Sequence, residues 1–248
     1  MRLDQASWYE VQDYLTRSRG IVLPCGSTEQ HGPIGLIGTD AICATEIAER
    51  AADIANGLVA PTLAYTPAPF NMGFPGTLSV SAELFQAMVQ ELLTGLVGQG
   101  FTRIYILNGH GANLAPLDAA RAAVPPQTVR IKSWWEFEAV NALRSAYYGD
   151  WEGMHATPSE VAITQATTRV IAHPDAETPP EKLCADYIAA HAGDRHGPPD
   201  AHRAHFSDGR VGSHSALATP EQGRGLLEAA ARAVAEDYLA FLGGGKIF

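Results

Sequence analysis

Short apolar runs alternate with amphipathic helical segments along most of this chain. Runs typical of buried strands occupy residues 20–24, 58–63, 103–107 and 129–132. Apolar side chains at helical spacing predict helices over residues 41–55, 83–97, 114–123, 159–170 and 219–242. Strands separated by helices need crossover connections, so the sequence predicts an α/β fold with a mostly parallel sheet flanked by helices on both faces. Ligands of such sheets bind beyond the carboxyl ends of the strands, where we expect the functional residues.

Length and charge restrict the remaining classes. A chain of 248 residues suits one α/β domain, and we expect residues 1–248 to form one. The 17 basic and 27 acidic residues argue against nucleic-acid or anionic-membrane partners, because both need clustered positive charge. No apolar run reaches the ~18 residues of a transmembrane helix, and the first ten residues carry acids where a signal peptide is apolar. We therefore expect a cytoplasmic protein.

A segment rich in Pro, Asp, Gly and His interrupts the alternation over residues 173–215, with one short helix predicted at 183–190. Segments of this length usually carry a function or are stabilised by a partner subunit. The segment contains His191, His196, His202, His205 and His214. Their spacings match no regular ligand pattern, so surface or interface histidines are favoured over a metal site.

The three cysteines are too few and too scattered for a disulfide framework or a CxxC metal site. Cys43 and Cys184 lie in apolar or small-residue stretches, where a free cysteine packs as a small hydrophobe. Cys25 follows a strand and precedes a Gly-Ser turn, but no base adjoins it in sequence. Packing is therefore favoured over a catalytic thiol.

Three constellations place metal-ligand residue types beside predicted element ends. The stretch LPCGSTEQHGP, after the first strand, carries Glu29 and His31, and Asp40 follows a Gly- and Pro-bearing turn. Two carboxylates and an imidazole suit a divalent ion such as zinc, manganese or iron. The stretch LNGHGAN places His110 directly after another strand, flanked by glycines that let backbone approach a ligand.

The third constellation is WEGMHATPSE, at a junction between a loop and a helix. It brings His155 and Glu160 into proximity along the chain. Glu160 has a competing role, because an acid in the first helical turn is favoured by the helix dipole. All three constellations lie at element ends, in the order that a metal-dependent hydrolase would use.

These segments resemble the signature motifs of the creatininase (creatinine amidohydrolase) family. GSTEQHGP with a following Asp is similar to the first motif, and NGHGAN is similar to the second. The spacing from His155 to Glu160 resembles the third, and GFPGT at residues 73–77 resembles a further conserved turn of the family. The resemblance implies an α/β/α fold with two divalent metal ions (Zn, Mn or Fe) in each subunit.

The resemblance also implies a ligand set. By motif position, Glu29, Asp40 and His110 would hold one metal, and His31 with a bridging Asp40 would hold the other. In creatininase proper a Glu two residues after the second-motif histidine completes the second site. That position is Ala112 here.

Glu160 is then the expected replacement, both as a metal ligand and as a catalytic carboxylate, and His155 is the expected proton-transfer residue. Trp151 stands four residues before His155, as an active-site tryptophan does in creatininase, although a packing role is equally open. Trp151 and Trp135 are the predicted substrate-binding residues, with Trp134 beside them.

The implied reaction is hydrolysis of a non-peptide C–N bond in a small cyclic or linear amide, through attack by a metal-bound hydroxide. Two further enzymatic readings are a formamide deformylase and a maturation peptidase. A closed aromatic pocket would favour a small planar substrate, and an open groove a peptide. The loss of the family's Glu at Ala112 keeps a non-catalytic, metal-stabilised binding protein open. The resemblance further implies a homo-oligomer, a hexamer in many relatives, with a small-molecule amide as substrate.

Overall fold

A computed structural model describes residues 1–193 and 195–243, and its centre is a three-stranded parallel sheet. Strands β1 (Gly20–Cys25), β2 (Arg103–Asn108) and β3 (Val129–Ser133) lie in the order β1-β2-β3. Both pairs are parallel, so the three carboxyl ends share one edge. This confirms the predicted α/β class with a parallel sheet. The predicted domain includes residues 194 and 244–248, which lie outside the described residues.

The predicted strand over residues 58–63 is replaced by two isolated bridges. Val59 pairs with Val22, and Leu63 pairs with Cys25, both in the parallel sense along the edge of β1. Pro61 lies between these two contacts and has no backbone N–H to donate. The register also shifts by one residue between the two bridges, because residue 59 pairs with 22 but residue 63 pairs with 25, so the run forms no continuous strand.

The helices of the described residues are α1 (Trp8–Arg17), α2 (Thr39–Ala55), α3 (Ala82–Gly98), α4 (Leu114–Ala120), α5 (Glu138–Tyr148), α6 (Pro158–Thr167), α7 (Ala185–His191), α8 (Pro199–His205) and α9 (Pro220–Phe241). The sequence pattern missed α1, α5 and α8. In α1 the side chains of Trp8 and Tyr9 are 65% and 67% exposed, which obscures its apolar stripe. Helix α6 ends three residues before the predicted boundary of 170. None of the described helices is long and apolar enough to cross a bilayer.

Two apolar layers cover the two faces of the sheet, because successive strand side chains point in opposite directions. Ile21, Leu23 and Ile106 face one layer, with buried side chains of α1, α3 and α4. Val22 and Leu107 face the other layer, with buried side chains of α2, α6 and α9. Helices therefore flank both faces, as predicted.

Two glycines allow the start of α2 to lie directly against the strand ends. A Cβ atom on Gly26, after β1, would come 2.3 Å from the backbone nitrogen of Ala41. A Cβ atom on Gly109, after β2, would come 2.5 Å from the carbonyl oxygen of Asp40. The N–H of Gly109 also donates a 2.7 Å hydrogen bond to the carbonyl of Cys25. The first turn of α2 is thereby fixed at the carboxyl edge of the sheet.

We expect Gly109→Ala to destabilise the protein, because the new methyl group would overlap the backbone of α2. Overpacking of this kind costs roughly 1–3 kcal/mol, which lowers Tm by roughly 2–10 °C in a chain of this size. Gly95→Ala is the matched control, because a Cβ atom there meets nothing within 4 Å. Gly95 lies in the last turn of α3, where alanine favours the helix more than glycine does, so this substitution should leave Tm unchanged or raise it. Differential scanning calorimetry measures both, and equal effects would contradict the close-approach argument.

Candidate metal centre

Six buried polar side chains meet where the ends of β1 and β2 approach the first turns of α2 and α6. The loops after the strands and the helix starts each contribute to the cluster, and no member is more than 8% exposed. Its members are Glu29, His31, Asp40, His110, His155 and Glu160. The structure therefore brings together every residue that the sequence predicted as a metal ligand, although they span more than half of the chain.

The first ligand group consists of Glu29, Asp40 and His110, whose ligand atoms all lie within 4.8 Å of one another. His110 Nδ1 lies 3.1 Å from Glu29 Oε1 and 3.1 Å from Asp40 Oδ2. The other ring nitrogen, Nε2, donates a 2.7 Å hydrogen bond to the carbonyl of Pro67. In a neutral ring this bond leaves the lone pair of Nδ1 directed towards the two carboxylates.

The second ligand group consists of His31, Asp40 and Glu160. His31 Nε2 lies 2.9 Å from Asp40 Oδ1 and 4.0 Å from Glu160 Oε1. His31 Nδ1 donates to the carbonyl of Glu29 at 3.1 Å, which orients the ring. Asp40 belongs to both groups, and it offers a different oxygen to the histidine of each group.

Glu160 caps its helix and also lies among the candidate metal ligands. Its Oε1 accepts a 2.5 Å hydrogen bond from the backbone N–H of Thr157, while the Thr157 hydroxyl caps the N–H of Glu160. This capping box fixes the carboxylate at the start of α6, within reach of His31 and Asp40. Burial raises the pKa of Glu160 to about 7, against the influence of His31.

The donor set fits a divalent cation. Glu29 Oε1 and Asp40 Oδ2 are buried, and both lie 3.1 Å from the same nitrogen, His110 Nδ1. Within the described part of the chain, no Lys or Arg forms an ion pair with the carboxylates of Glu29, Asp40 or Glu160. Buried charges need compensation, and carboxylate oxygens with imidazole nitrogens suit zinc, manganese or iron. Lone pairs that converge in this way require either a proton or a metal ion.

The pKa values show which groups carry the protons that balance the buried carboxylates when no metal ion is bound. Burial opposes protonation of His31, but the adjacent Asp40 outweighs it and raises the pKa of the ring to about 10. Burial likewise opposes protonation of His110, but Glu29 and Asp40 raise its pKa well above the usual value. Metal binding at these nitrogens must displace protons, so metal affinity rises with pH.

His155 lies at the edge of the cluster in a different protonation state. Its Nε2 donates to the carbonyl of Gln30 at 2.7 Å, and its Nδ1 lies 3.6 Å from Glu29 Oε1. Burial and then the positive charge of His31 hold its pKa well below the usual value. The ring is therefore neutral near pH 7, with an unprotonated nitrogen facing the carboxylate.

A cavity of about 220 Å³ opens beside the metal centre. Asp40, His110, His155 and Glu160 form part of its wall, and Leu114, Trp134, Trp135, Arg144 and Met154 form much of the remainder. Of the two tryptophans predicted to bind substrate, Trp135 lines this cavity and Trp151 does not. The Trp151 ring lies 5.6 Å from that of His214 and 4.3 Å from Lys182 Nζ.

Sequence reasoning missed a residue that supports the ligands. The side chain of Asn71 is fully buried, and its Nδ2 donates to Glu29 Oε2 at 2.9 Å. Its Oδ1 accepts a 2.8 Å hydrogen bond from Gln30 Nε2. The available signal was an Asn inside an otherwise apolar loop, two residues before the GFPGT turn. Asn71 thus orients one carboxylate of the metal centre.

The other candidates from the sequence lie outside this cluster. Cys25 is buried, and burial raises the pKa of its thiol to about 12, which suits a packing role. The groups of possible metal ligands among the described residues include none of the five histidines of residues 173–215. The expectation of surface or interface histidines is wrong for His202 and His214, which are 4% and 9% exposed within the chain itself. The ring of His202 packs against Phe70 and Phe206.

A comparison with protein families now places the chain. The sequence model of the creatininase family, described as creatinine amidohydrolase, matches residues 4–238. This chain belongs to the creatininase family. It is accordingly a hydrolase that acts on carbon–nitrogen bonds, and the buried cluster is its candidate metal centre.

Individual relatives differ in their named activities. Creatinine amidohydrolase of Pseudomonas putida is 27% identical over 185 residues, which cover 64% of this chain and 71% of that protein. The mycofactocin precursor peptide peptidase of Mycolicibacterium smegmatis is 36% identical over 109 residues, covering 41% of this chain and 43% of that protein. The 3-dehydro-scyllo-inosose hydrolase of Thermotoga maritima is 34% identical over 103 residues, covering 41% of this chain and 33% of that protein.

Solved structures share the fold over nearly the whole chain. A crystal structure of creatinine amidohydrolase (creatininase) superimposes with a TM-score of 0.77 at 23% identity, covering 98% of both chains. A structure described as creatininase Mn gives a TM-score of 0.76 at 23% identity, over 98% of this chain and 99% of that one. These likenesses confirm the predicted creatininase-like α/β fold.

We expect Asn71→Ala to weaken metal binding while leaving all the predicted ligands in place. Loss of a partner that orients a ligand typically lowers metal affinity about 10–100-fold. Competitive titration against a chromogenic chelator measures the change, with Gln12→Ala on the exposed side of α1 as a control amide. An unchanged affinity would show that Glu29 needs no support from Asn71.

Proposed function

We propose that this chain is a binuclear metal-dependent amidohydrolase that cleaves a non-peptide C–N bond of a small amide. Glu29, Asp40 and His110 would hold one ion, and His31, Asp40 and Glu160 the other. The observation that carries the proposal is the position of Asp40. Its Oδ2 lies 3.1 Å from His110 and its Oδ1 lies 2.9 Å from His31, so one carboxylate serves two ligand groups.

The chemistry follows from the donor set and from the groups around it. Two divalent ions in such a site supply an activated water molecule and polarise a substrate carbonyl. His155 lines the cavity and has an unprotonated Nδ1 beside Glu29, so it can accept a proton and pass it to the departing nitrogen. Its bond from Nε2 to the carbonyl of Gln30 keeps the ring in the orientation that this transfer needs.

The cavity favours a small substrate over a peptide. Its volume of about 220 Å³ is below the roughly 300–1,000 Å³ of pockets for drug-sized ligands. Trp134 and Trp135 meet edge to face in its wall, with ring centroids 5.7 Å apart, which suits a flat amide. Creatinine-like rings and short formamides both satisfy these limits, and the peptidase reading would need a wider groove.

The site also weighs against the non-catalytic reading. That reading rested on Ala112, which replaces the carboxylate that completes the second site in creatininase proper. Glu160 supplies a carboxylate within 4.8 Å of the ligand atoms of His31 and Asp40. These three side chains would give a second ion its ligands.

We also propose that the chain forms a homo-oligomer, which light scattering tests.

The decisive experiment measures metal content and amide hydrolysis on the same samples. Protein purified without chelators or affinity nickel should contain close to two ions per chain by elemental analysis. Glu160→Gln keeps an oxygen for the capping box but weakens one ligand, so the content should fall towards one ion. Asp40→Asn affects both groups and should bring the content below one ion.

Hydrolysis of a panel of small amides should follow the metal content and return when zinc or manganese is restored after chelation. Glu91→Gln, on the exposed face of α3, is the control for loss of a carboxylate. Wild-type protein that binds metal but hydrolyses no amide would support a binding protein instead. Failure to bind metal after reconstitution would overturn the proposal altogether.

We expect His155→Gln to lower kcat by about 10²–10⁴-fold, the usual contribution of a general acid or base. Metal content should stay at the wild-type value, because the two ligand groups of the proposal do not use this ring. Steady-state kinetics and elemental analysis on the same preparation separate the two effects. A loss of metal in this variant would make His155 a ligand, since its ligand atom also lies within 4.8 Å of those of Glu29 and His31.

A further inference from the structure

The cavity beside the metal centre has a cationic side chain in its wall that neither the ligand groups nor the proposed reaction uses. Arg144 extends from α5 and lines the cavity together with Trp134, its guanidinium carbon 5.9 Å from the centre of that ring. Nη1 donates to Asn141 Oδ1 at 2.8 Å, and Nη2 donates to Glu152 Oε2 at 3.0 Å. Nε is buried and has no acceptor among the described residues.

These contacts hold the guanidinium in place without using all its donors. A guanidinium carries five N–H groups in a planar fork, and these two hydrogen bonds use two of them. The side chain is 18% exposed and its Nε is buried, so the N–H groups left for a ligand in the cavity are the remaining ones on Nη1 and Nη2. Arg144 can therefore accept a further planar anion while it keeps its present partners.

The partner Glu152 does not occupy the fork fully. It meets Arg144 through one oxygen, Oε2, which also accepts a 2.9 Å hydrogen bond from the Ser159 hydroxyl. The second oxygen, Oε1, is buried without a donor, and burial raises the pKa of Glu152. A bidentate carboxylate pair is the stronger arrangement for arginine, and this ion pair does not form it.

Among the described residues that line the cavity, Arg144 is the only lysine or arginine; Thr157 adds a neutral hydroxyl, and Gly109, Gly111, Gly153 and Gly193 add backbone. Leu114, Trp134, Trp135 and Met154 contribute largely apolar surface, and the metal-ligand side chains occupy another part of the cavity wall. We propose that Arg144 is a specificity-determining residue, which binds a carboxylate on the substrate while the amide lies at the metal centre. This inference rests on the proposed amidohydrolase function, and it narrows the substrates to amides that carry an acidic group.

Matched pairs of small amides test this inference by binding. Isothermal titration of zinc-loaded protein compares oxamate, malonamate, succinamate and glutaramate with the neutral diamide of each chain length. Wild-type protein should bind at least one carboxylate about tenfold more tightly than its diamide, as expected for a charge-assisted contact. The chain length that gives the largest ratio measures the span from Arg144 to the metal centre.

Arg144→Gln should make the affinities for the carboxylate and for its diamide equal to within twofold, while the affinity for the diamide stays unchanged. Arg144→Lys keeps the charge without the fork and should retain part of the ratio. Arg232→Gln, an exposed arginine of α9 paired with Glu228, is the matched control and should retain all of it. Glu152→Gln removes the competing partner and should preserve or increase the ratio.

Several outcomes would overturn the inference. No carboxylate preference in wild-type protein would show that Arg144 does not reach the substrate. A preference that persists in both Arg144 variants would place the carboxylate on the metal ions instead. If the Arg144 variants bound the carboxylate and its diamide more weakly by the same factor, Arg144 would serve only the ion pair with Glu152. Because heat of binding is the readout, absence of amide hydrolysis would count against the proposed function and not against this inference.

Discussion

The contact between the first turn of α2 and the ends of β1 and β2 determines where everything else in the site lies. It exists because Gly26 and Gly109 carry no side chain at the two points where α2 backbone comes closest. With α2 fixed there, Asp40 is placed between His31 and His110, 2.9 and 3.1 Å from their ring nitrogens. One helix start thereby joins two strand ends into a single cluster, and the glycines belong to the site as much as the ligands do.

Three buried carboxylates in one place would oppose folding if nothing compensated them. In the cluster the compensation comes from imidazoles: burial opposes protonation of His31, but its carboxylate neighbours, Asp40 above all, raise the pKa of the ring to about 10. His155 is the exception, because burial and then the charge of His31 hold its pKa well below the usual value and keep the ring neutral. The negative charge of the carboxylates, which protonated histidines balance, would equally favour a divalent ion. His155 stays uncharged beside these groups and can act as a base.

Local sequence was sufficient for the parts of the structure that local rules govern. Residues such as Glu29 and His110 follow strands, and parallel strands bring their carboxyl ends to one edge, so their proximity could be predicted. The predicted strand over residues 58–63 does not form because its register with β1 shifts by one residue around Pro61, which the apolar pattern does not show. Asn71 acts on Glu29, which is distant in sequence, so only tertiary packing shows its role. Arg144 pairs with near neighbours, but its position in the cavity wall beside the metal ligands also depends on tertiary packing.

In creatininase proper a Glu at the position of Ala112 completes the second site, and we propose that Glu160 takes that role here, which has a structural consequence. A ligand beside His110 would belong to the loop after β2, whereas Glu160 belongs to the capping box of α6. Ser159, the neighbour of Glu160 in that first turn, donates to Glu152, which in turn pairs with Arg144. The metal centre and the cationic wall of the cavity therefore share one helix start. A change in how Glu160 is held would be transmitted through Ser159 to the guanidinium that faces the substrate.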